Sequence, residues 1–306
     1  MTDEALLFGM YGAPPGELGN PSAHARQLSP LVPGSVDLGS ADPGSFSAIT
    51  LLAPAGTLER RFAMAQALLA LAAGGALTTI APKDKGGARM RKELEAFGCA
   101  VEETSKRHHR LCVVRRPKAL TGVDDALALG GPQVVEAIGL WSQPGVFSWD
   151  RVDPGSALLA SRLPAFTGHG ADLGCGIGFL SLHVLNSPAV ERLDLIDIDR
   201  RAIDAAGRNV VDPRVHLVWG DARSGDGPAK ALDFVVMNPP FHMAATEDKA
   251  LGQAFIAGAA RRLRPGGACW LVANRHLPYE AALTAAFKSV RLDHEANGYK
   301  VFEARA

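Results

Sequence analysis

The sequence predicts an α/β protein built from two consecutive α/β units, the second of them a doubly wound parallel sheet. Three observations predict it. Strand-length apolar runs alternate with helix-length segments in both halves, a glycine-rich turn follows the first strand of the second half, and an Asn-Pro-Pro turn ends a later strand. Such alternation places parallel strands beneath helices on both faces of a sheet. With 306 residues, each unit is long enough to bury a hydrophobic core.

The first half divides into three segments. Residues 1–45 are rich in Gly, Pro and Ser, which predicts a loop-rich lead-in that is only partly pinned. Residues 46–118 predict a small α/β domain. Its strands and helices alternate before a closing pair of strands, in the runs FSAITLLA, LERRFAMAQALLALAA, ALTTIA, GGARMRKELEAFG, AVEET and LCVVRR. Residues 119–142 carry Gly-Gly punctuation between mixed stretches and predict a linker.

The second α/β domain is predicted to cover residues 143–306. Strand and helix patterns alternate to the end of the chain, in the runs HGADLG, GFLSLHVL, LDLIDI, RRAIDAAGRNV, RVHLVWG, ALDFVVMN, a long helix from Glu247 to Leu263, ACWLVAN, AALTAAFKSVRL and GYKVFEARA. The near-continuous apolar strands are typical of parallel strands buried on both faces. The last run predicts an edge or antiparallel strand.

The composition indicates a globular enzyme or binding protein. Apolar residues make up 47% and charged residues 21%, and 32 Lys and Arg balance 32 Asp and Glu, which excludes a disordered chain and a basic nucleic-acid tail. The four cysteines form no C-x-x-C pair, and His108, His109 and Cys112 lack a fourth ligand at a usual spacing. We therefore expect no bound metal and a reducing, cytoplasmic location.

One uncharged stretch, from Phe62 to Pro82, has the length of a membrane span. Gly74 and Gly75 divide it into a helix-like and a strand-like half, and alanine-rich segments are only weakly hydrophobic. The first residues are acidic rather than basic, unlike a secretory signal. We expect neither a membrane segment nor export.

The glycine-rich turn predicts a cofactor site. Asp172 ends the strand, and Gly174, Gly176 and Gly178 follow before the next helix. Glycines at this turn let a ligand approach the backbone closely. The G-x-G-x-G spacing differs from the G-x-G-x-x-G of dinucleotide sites, which argues against an oxidoreductase. Asp197 ends the next strand 21 residues after Gly176, where a carboxylate reaches a ribose diol, so an adenosyl ligand is predicted.

Two further residues complete the predicted cofactor site. Ile198 would offer an apolar face to the adenine ring, and Asp221, after the third strand, would accept a hydrogen bond from the adenine amino group. The alternative for Asp221 is an exposed turn aspartate, since Gly-Asp turns are frequent.

The Asn-Pro-Pro turn predicts a substrate that donates hydrogen bonds. Its two prolines have no N–H, so the turn presents acceptors only. The Asn238 side-chain oxygen and the Pro239 carbonyl can each accept one hydrogen of an NH₂ group. Phe241 can stack on a planar base, and His242 can line the same pocket. A turn that merely ends the strand is the alternative, but its position downstream of the glycine loop and Asp197 favours the functional interpretation.

Together these motifs resemble the class I S-adenosylmethionine-dependent methyltransferases that modify amino nitrogens. The resemblance is most specific to the family of bacterial ribosomal RNA small-subunit methyltransferase C and its large-subunit relative, which make N2-methylguanosine. It is carried by PGVFS at 144–148, DPGSALL at 153–159, DLGCG at 172–176, NPPFH at 238–242 and VANRHLPY at 272–279.

The resemblance implies a seven-stranded class I methyltransferase sheet, preceded by a smaller, degenerate copy of that fold that binds RNA. It implies S-adenosylmethionine as cofactor and the exocyclic N2 amine of a guanine in ribosomal RNA, expected in the small subunit, as the methyl acceptor. Phe147 and Asp153 are implied as a flap over the cofactor, with Phe147 also beside the substrate. The implied partner is ribosomal RNA or a ribosomal subunit, and a monomer is expected.

Charge and chemistry leave alternatives open. Residues 83–118 carry 11 Lys and Arg against 5 Asp and Glu, a pattern that fits phosphate contacts and solvated helix faces equally well. The same acceptor turn would also suit adenine N6 in DNA or a glutamine amide in a protein. A non-catalytic RNA-binding assembly factor that retains the fold is the alternative outside enzymes.

Overall fold

The chain divides into two compact units. The computed structural model describes residues 6–18, 22, 24–224, 230–240 and 247–306. Unit 1 consists of Met1–Pro132 with Gln143–Gly145, and unit 2 of Gln133–Ser142 with Val146–Ala306.

Unit 1 is built on a six-stranded mixed sheet. Its elements are β1 (Leu7–Tyr11), β2 (Arg26–Gln27), β3 (Phe46–Leu52), α1 (Thr57–Ala70), β4 (Leu71–Pro82), α2 (Met90–Ala96), β5 (Val101–Lys106), β6 (His109–Arg115) and α3 (Val123–Gly130). The strand order is β2-β1-β3-β4-β6-β5. The strands from β2 to β4 pair in parallel, and β6 is antiparallel to both β4 and β5.

The predicted loop-rich lead-in differs from the observed structure. Strand β1 lies inside the sheet between β2 and β3, and Leu28 and Leu38 belong to the core of unit 1. At Gly9 a Cβ atom would lie 2.6 Å from Leu28 Cδ1, so the glycine permits this close packing. The strand is short and surrounded by Gly and Pro, so its pairing with β3 comes from tertiary contacts that local patterns do not report.

The predicted linker over residues 119–142 also differs, because both of its halves are structured. Helix α3 packs against α1, where a Cβ atom on Gly130 would lie 2.5 Å from Phe62 Cβ. The rest forms a hairpin of unit 2, with β7 (Gln133–Val135) antiparallel to β8 (Leu140–Ser142).

Unit 2 contains the predicted doubly wound sheet of seven strands. Its other elements are α4 (Pro154–Ala160), β9 (Gly168–Leu173), α5 (Phe179–Val184), β10 (Val190–Asp197), α6 (Arg200–Asn209), β11 (Val215–Trp219), β12 (Leu232–Met237), α7 (Glu247–Arg262), β13 (Leu263–Asn274), α8 (Glu280–Ala286), β14 (Ser289–Ala296) and β15 (Tyr299–Arg305). The order is β11-β10-β9-β12-β13-β15-β14. Strand β15 runs antiparallel to both of its neighbours, β13 and β14, which confirms the prediction of an antiparallel last strand.

The order in which strands are added to this sheet reverses beside β9. From β9 the chain proceeds outward through β10 to β11, and it then returns to add β12 on the other side of β9. The carboxyl ends of β9 and β12 therefore flank a topological switch point, where open α/β sheets bind their ligands.

Unit 1 repeats most of this arrangement. The order β1-β3-β4-β6-β5 corresponds to β9-β12-β13-β15-β14, with the same two parallel pairs followed by the same two antiparallel pairs. Helices α1 and α7 occupy corresponding places, as do α2 and α8. Where Asn238-Pro239-Pro240 follow β12, Ala53-Pro54-Ala55 follow β3. Unit 1 thus keeps the layout of the larger sheet without its polar turn.

The uncharged stretch of unit 1 is core rather than a membrane span. Its residues form most of α1 and β4, and Met64, Leu68 and Leu77 are fully buried. Among the described residues, no helix combines the length and the apolar character that crossing a membrane requires.

A buried ion pair ties α1 to α2. The Nε and Nη2 atoms of Arg60 donate to the two carboxylate oxygens of Glu93, both at 2.7 Å. Its Nη1 donates to the carbonyl oxygens of Pro54 and Ala55 at 3.0 and 2.7 Å. The Arg60 side chain is fully buried, so these acceptors replace the water that the guanidinium loses on folding.

Removing one member of this pair should destabilise unit 1 more than removing both. Each single variant, Arg60→Met or Glu93→Leu, leaves an uncompensated buried charge and should lower the free energy of unfolding by about 3–5 kcal/mol. The double variant should lose less than the sum of the two single losses. Urea unfolding followed by circular dichroism measures all three. The exposed pair Arg91–Glu95 is the control, since solvent screening should leave Arg91→Met close to wild type. Additive losses in the double variant would contradict the pairing.

Candidate functional site

The predicted cofactor and substrate motifs meet at the switch point. Strand β12 pairs with β9 so that Met237 lies opposite Leu173. The next residues, Asn238 and Gly174, therefore leave the sheet side by side. Both line one pocket with an empty volume of about 520 Å³, which includes its opening to solvent.

The glycine loop has a backbone conformation that favours glycine and borders open space. Gly174, Gly176 and Gly178 have φ angles of 72°, 54° and 86°, a region that favours glycine. The N–H groups of Gly174 and Cys175 both donate to the Ile196 carbonyl of β10, at 2.8 and 3.1 Å. A Cβ atom on Gly176 would meet no heavy atom within 4 Å, so the loop borders open space. A flat or extended ligand can therefore lie against the backbone at this point.

Asp197 lies under the loop at the carboxyl end of β10. Its Oδ2 accepts a hydrogen bond from Gly176 N and its Oδ1 one from Asp199 N, both at 2.9 Å. Burial raises the pKa of Asp197 to about 6, although both backbone bonds favour the charged form. A carboxylate offers about four acceptor sites, so each oxygen retains capacity for a ligand hydroxyl.

Asp172, near the end of β9, is a fully buried carboxyl. Its Oδ2 accepts from Ser181 Oγ at 2.7 Å, and its Oδ1 is buried without a hydrogen-bond partner among the described residues. Burial raises its pKa to about 7, and the negative charge of Asp197 contributes in the same direction. Asp172 joins the strand to α5 and thereby supports the loop from below.

The side-chain amide of Asn238 forms hydrogen bonds with the described residues through its nitrogen and none through its oxygen. Its Nδ2 donates to Asp153 Oδ2 at 2.8 Å and to Ser156 Oγ at 2.9 Å. Its Oδ1 is buried and accepts no hydrogen bond from the described part of the chain. Pro239 and Pro240 add no N–H donors. The turn therefore presents one unused side-chain acceptor, Asn238 Oδ1, in the same pocket as the glycine loop, whereas Pro239 is not among the residues that line this pocket.

The other predicted site residues fall into three groups. Phe147 lines the pocket and is 53% exposed, at its mouth. Ile198 and Asp221 are not among the residues that line it; Asp221 instead forms an ion pair with Arg223 at 2.6 Å, which lowers the pKa of its carboxyl. Phe241 and His242 lie outside the described residues.

The structure adds pocket residues that sequence patterns miss. Ile138 and Leu140 of the β7–β8 hairpin line the pocket, although their segment is predicted as a linker. The amide of Asn209 holds the hairpin in place, because it bridges the backbone N–H and C=O of Trp141 at 2.7 and 2.9 Å and also donates to the Ile177 carbonyl. The sequence signal for this hairpin is its short apolar segments, which are too weak a pattern to locate a strand pair.

The groups around the glycine loop suit an adenosyl cofactor. Open space over Gly176 and the Asp197 carboxylate beside it match a nucleoside, and the loop offers backbone rather than metal ligands. Across the described ranges, no group of three or more His, Cys, Asp or Glu side chains is arranged to hold a metal ion.

The raised pKa of Asp172 predicts a pH-dependent cost in stability. Its usual pKa is 3.8, so between about pH 4 and pH 7 the folded protein binds more protons than the unfolded chain, and the free energy of unfolding falls as the pH rises. Asp172→Asn keeps an acceptor for Ser181 and removes this slope. We expect its stability advantage over wild type to grow from pH 5 to pH 7 in urea unfolding.

Asp212→Asn is the matched control, because Arg214 lowers the pKa of Asp212 to about 2. Its effect on stability should be constant between pH 5 and pH 7. A constant difference for Asp172→Asn over the same range would contradict the assignment of a raised pKa.

Comparison with known proteins places this site in a family. The methyltransferase small domain family matches residues 137–303. Proteins named ribosomal RNA small subunit methyltransferase C are similar to the chain. The one from Pseudomonas aeruginosa strain LESB58 is 32% identical over 288 residues, which are 91% of this chain and 85% of that protein. The one from Pseudomonas putida strain W619 is 31% identical over 275 residues, 86% of this chain and 80% of that protein.

A solved structure shares the fold. The T. thermophilus 16S rRNA N2 G1207 methyltransferase, in complex with AdoMet and guanosine, aligns with a TM-score of 0.77 over 100% of this chain and 89% of that chain, at 23% identity. The chain therefore belongs to the methyltransferase small domain family and, within it, groups with the proteins named ribosomal RNA small subunit methyltransferase C.

Proposed function

We propose that the protein transfers a methyl group from S-adenosylmethionine to the exocyclic N2 amine of a guanine in small-subunit ribosomal RNA. One observation carries the proposal: a buried, unused acceptor, Asn238 Oδ1, shares a pocket with the glycine loop. The similarity to the small-subunit methyltransferases over 91% of the chain supports ribosomal RNA rather than DNA or a protein amide. With this substrate we expect a cytoplasmic enzyme that acts as a monomer.

The cofactor would lie along the glycine loop. The backbone of Gly174–Gly178 would contact it, and the remaining acceptor sites of Asp197 would bind its ribose hydroxyls. When bound, S-adenosylmethionine supplies an electrophilic methyl carbon on a positively charged sulfur. The apolar side chains of Ile138, Leu140 and Ile177 line the pocket and would exclude water from the reacting atoms.

Asn238 and Pro239 would orient the amine nitrogen. Each oxygen accepts one N–H of the guanine NH₂, which directs the nitrogen lone pair toward the methyl carbon. Both acceptors also stabilise the positive charge that develops on this nitrogen as it is alkylated. The nitrogen then loses one proton to solvent, so neither residue has to act as a base. Alignment by fixed acceptors is the main contribution of the chain to the rate.

We propose that unit 1 binds RNA and does not catalyse. Its layout repeats the larger sheet, but Ala53-Pro54-Ala55 offer no side-chain acceptor at the place of the Asn-Pro-Pro turn. Besides Arg60, which is paired with Glu93, three cations line a separate cavity of unit 1: Lys83, Lys85 and Arg89. Cations around a concave surface suit the phosphates of a nucleic acid.

Replacing Asn238 should separate chemistry from cofactor binding. Asn238→Ala should lower methyl transfer by roughly 100- to 1,000-fold, the loss typical of removing one polar contact to a developing charge, with cofactor affinity nearly unchanged. Asp197→Ala should instead weaken cofactor binding. Transfer is measured with radiolabelled S-adenosylmethionine on small-subunit RNA and on intact subunits from a strain lacking the gene, and the product by mass spectrometry of nucleosides.

Calorimetry with S-adenosylhomocysteine measures cofactor affinity in both variants. Equal losses of affinity in Asn238→Ala and Asp197→Ala would contradict these roles. Methylation of adenine or of a glutamine amide, with no N2-methylguanosine formed, would contradict the proposed substrate.

The cavity of unit 1 predicts salt-dependent RNA binding. The triple variant Lys83→Ala, Lys85→Ala, Arg89→Ala should weaken RNA binding and reduce the dependence of log K on log salt by about 0.7–0.9 for each phosphate that the protein no longer neutralises. Asp84→Asn in the same cavity is the matched control and should strengthen binding. Fluorescence anisotropy with a labelled small-subunit RNA fragment at several salt concentrations measures both. An unchanged salt slope in the triple variant would exclude the cavity as a phosphate site.

A further inference from the structure

The acceptor amide of Asn238 has to be held in one of two orientations. The oxygen and the NH₂ group of a carboxamide have nearly the same size, and the terminal torsion of asparagine is broad and roughly two-fold. In one orientation the pocket receives an acceptor, and in the other it receives two donors. Only the first can bind an NH₂ group of a substrate, so the direction of this amide decides whether the turn works.

Two acceptors from the start of α4 face the nitrogen end of this amide. Asp153 Oδ2 and Ser156 Oγ both accept from Asn238 Nδ2, at 2.8 and 2.9 Å. A carboxylate has no hydrogen to donate. If the amide turned over, Asn238 Oδ1 would face the Asp153 carboxylate, and repulsion would replace that hydrogen bond. Only the Ser156 hydroxyl, which can donate as well as accept, could still bond to the oxygen.

The two acceptors are themselves fixed. Asp153 is the N-cap of α4, and the same Oδ2 atom accepts from Ser156 N at 2.7 Å. Gly155 admits the ring of Tyr299 from β15, since a Cβ atom there would lie 2.8 Å from Tyr299 Cε1. The first turn of α4 is thus held against the sheet, and its two side chains reach a residue 82 to 85 positions away in sequence.

We propose that Asp153 and Ser156 are positioning residues that hold the Asn238 amide with its oxygen toward the substrate amine. The inference rests on the proposed function and adds two residues that line the same pocket and position the substrate amine through Asn238. It assigns Asp153 to the acceptor turn, whereas the family resemblance implied a flap over the cofactor. One carboxylate oxygen serves both the helix cap and the amide, so the two roles can be separated by side-chain length.

A pair of variants separates capping from positioning. Serine is a good N-cap, so Asp153→Ser retains the cap, but its shorter side chain does not reach Asn238. Combined with Ser156→Ala, which leaves the backbone N–H in place, it removes both acceptors of the amide. Asp153→Asn keeps one oxygen where Oδ2 lies, and that oxygen can accept from both Ser156 N and Asn238 Nδ2.

We expect Asp153→Ser/Ser156→Ala to lower kcat for methyl transfer roughly 10- to 100-fold, with little change in the melting temperature and in the Kd for S-adenosylhomocysteine. The single variant Asp153→Asn should keep kcat within about threefold of wild type. In an Asn238→Ala background the paired change should cause no further loss, because its effect passes through the missing amide. Asp37→Asn is the control: Asp37 caps the short 3₁₀ helix Leu38–Ser40 of unit 1, and the same change there should leave kcat unaltered.

Side-chain NMR tests the positioning without catalysis. The Asn238 NH₂ signal, identified by its loss in Asn238→Ala, should exchange slowly with solvent in wild type and Asp153→Asn, and quickly in the paired variant. Wild-type kcat or retained protection in the paired variant would overturn the proposal, and so would an additive loss in the Asn238→Ala background. If wild type methylates no ribosomal RNA, the proposed function fails, while the NMR measurement still decides the orientation of the amide.

Discussion

The arrangement of the site depends on the hydrogen bonds from Asn238 Nδ2 to Asp153 and Ser156, because they fix which end of the amide faces the pocket. They leave Asn238 Oδ1 buried and unused by the described residues, at a cost of about 1–3 kcal/mol for an unsatisfied polar group. Folding alone would not favour such an arrangement. Its place in one pocket with the glycine loop indicates that the missing partner is a ligand.

The two carboxyls beneath the loop, fully buried Asp172 and half-buried Asp197, follow the same logic. Burial raises the pKa of Asp172 to about 7 and that of Asp197 to about 6, so neither is ionised at neutral pH without a loss of stability. Asp197 lies beneath the loop and retains acceptor capacity that a cofactor hydroxyl would use. The site therefore contains several polar groups that a bound ligand would stabilise by supplying missing hydrogen bonds. This is expected of a preorganised active site.

The two units show how function separates from the scaffold. They share the order of five strands and the direction of each pairing, yet one carries Asn-Pro-Pro after the corresponding strand and the other Ala-Pro-Ala. In unit 1 the space beside that turn is crossed by Arg60, whose guanidinium binds the carbonyl oxygens of Pro54 and Ala55 and the Glu93 carboxylate. A sheet supplies places for function, and the turns at its carboxyl edge decide whether a place is used.

Local pattern was enough to determine the doubly wound sheet, the glycine loop, the position of Asp197 and the acceptor turn, because each depends on spacing within a strand, a turn or one β-α-β unit. The pairing of β1 inside its sheet, the hairpin that closes the pocket and the contact between Asp153 and Asn238 were decided by tertiary structure. These contacts join residues up to 85 positions apart, and the short segments that make them carry no periodicity of their own. The N-cap pattern Asp-Pro-Gly-Ser marks a helix start, but which side chain it faces depends on how that helix packs against the sheet.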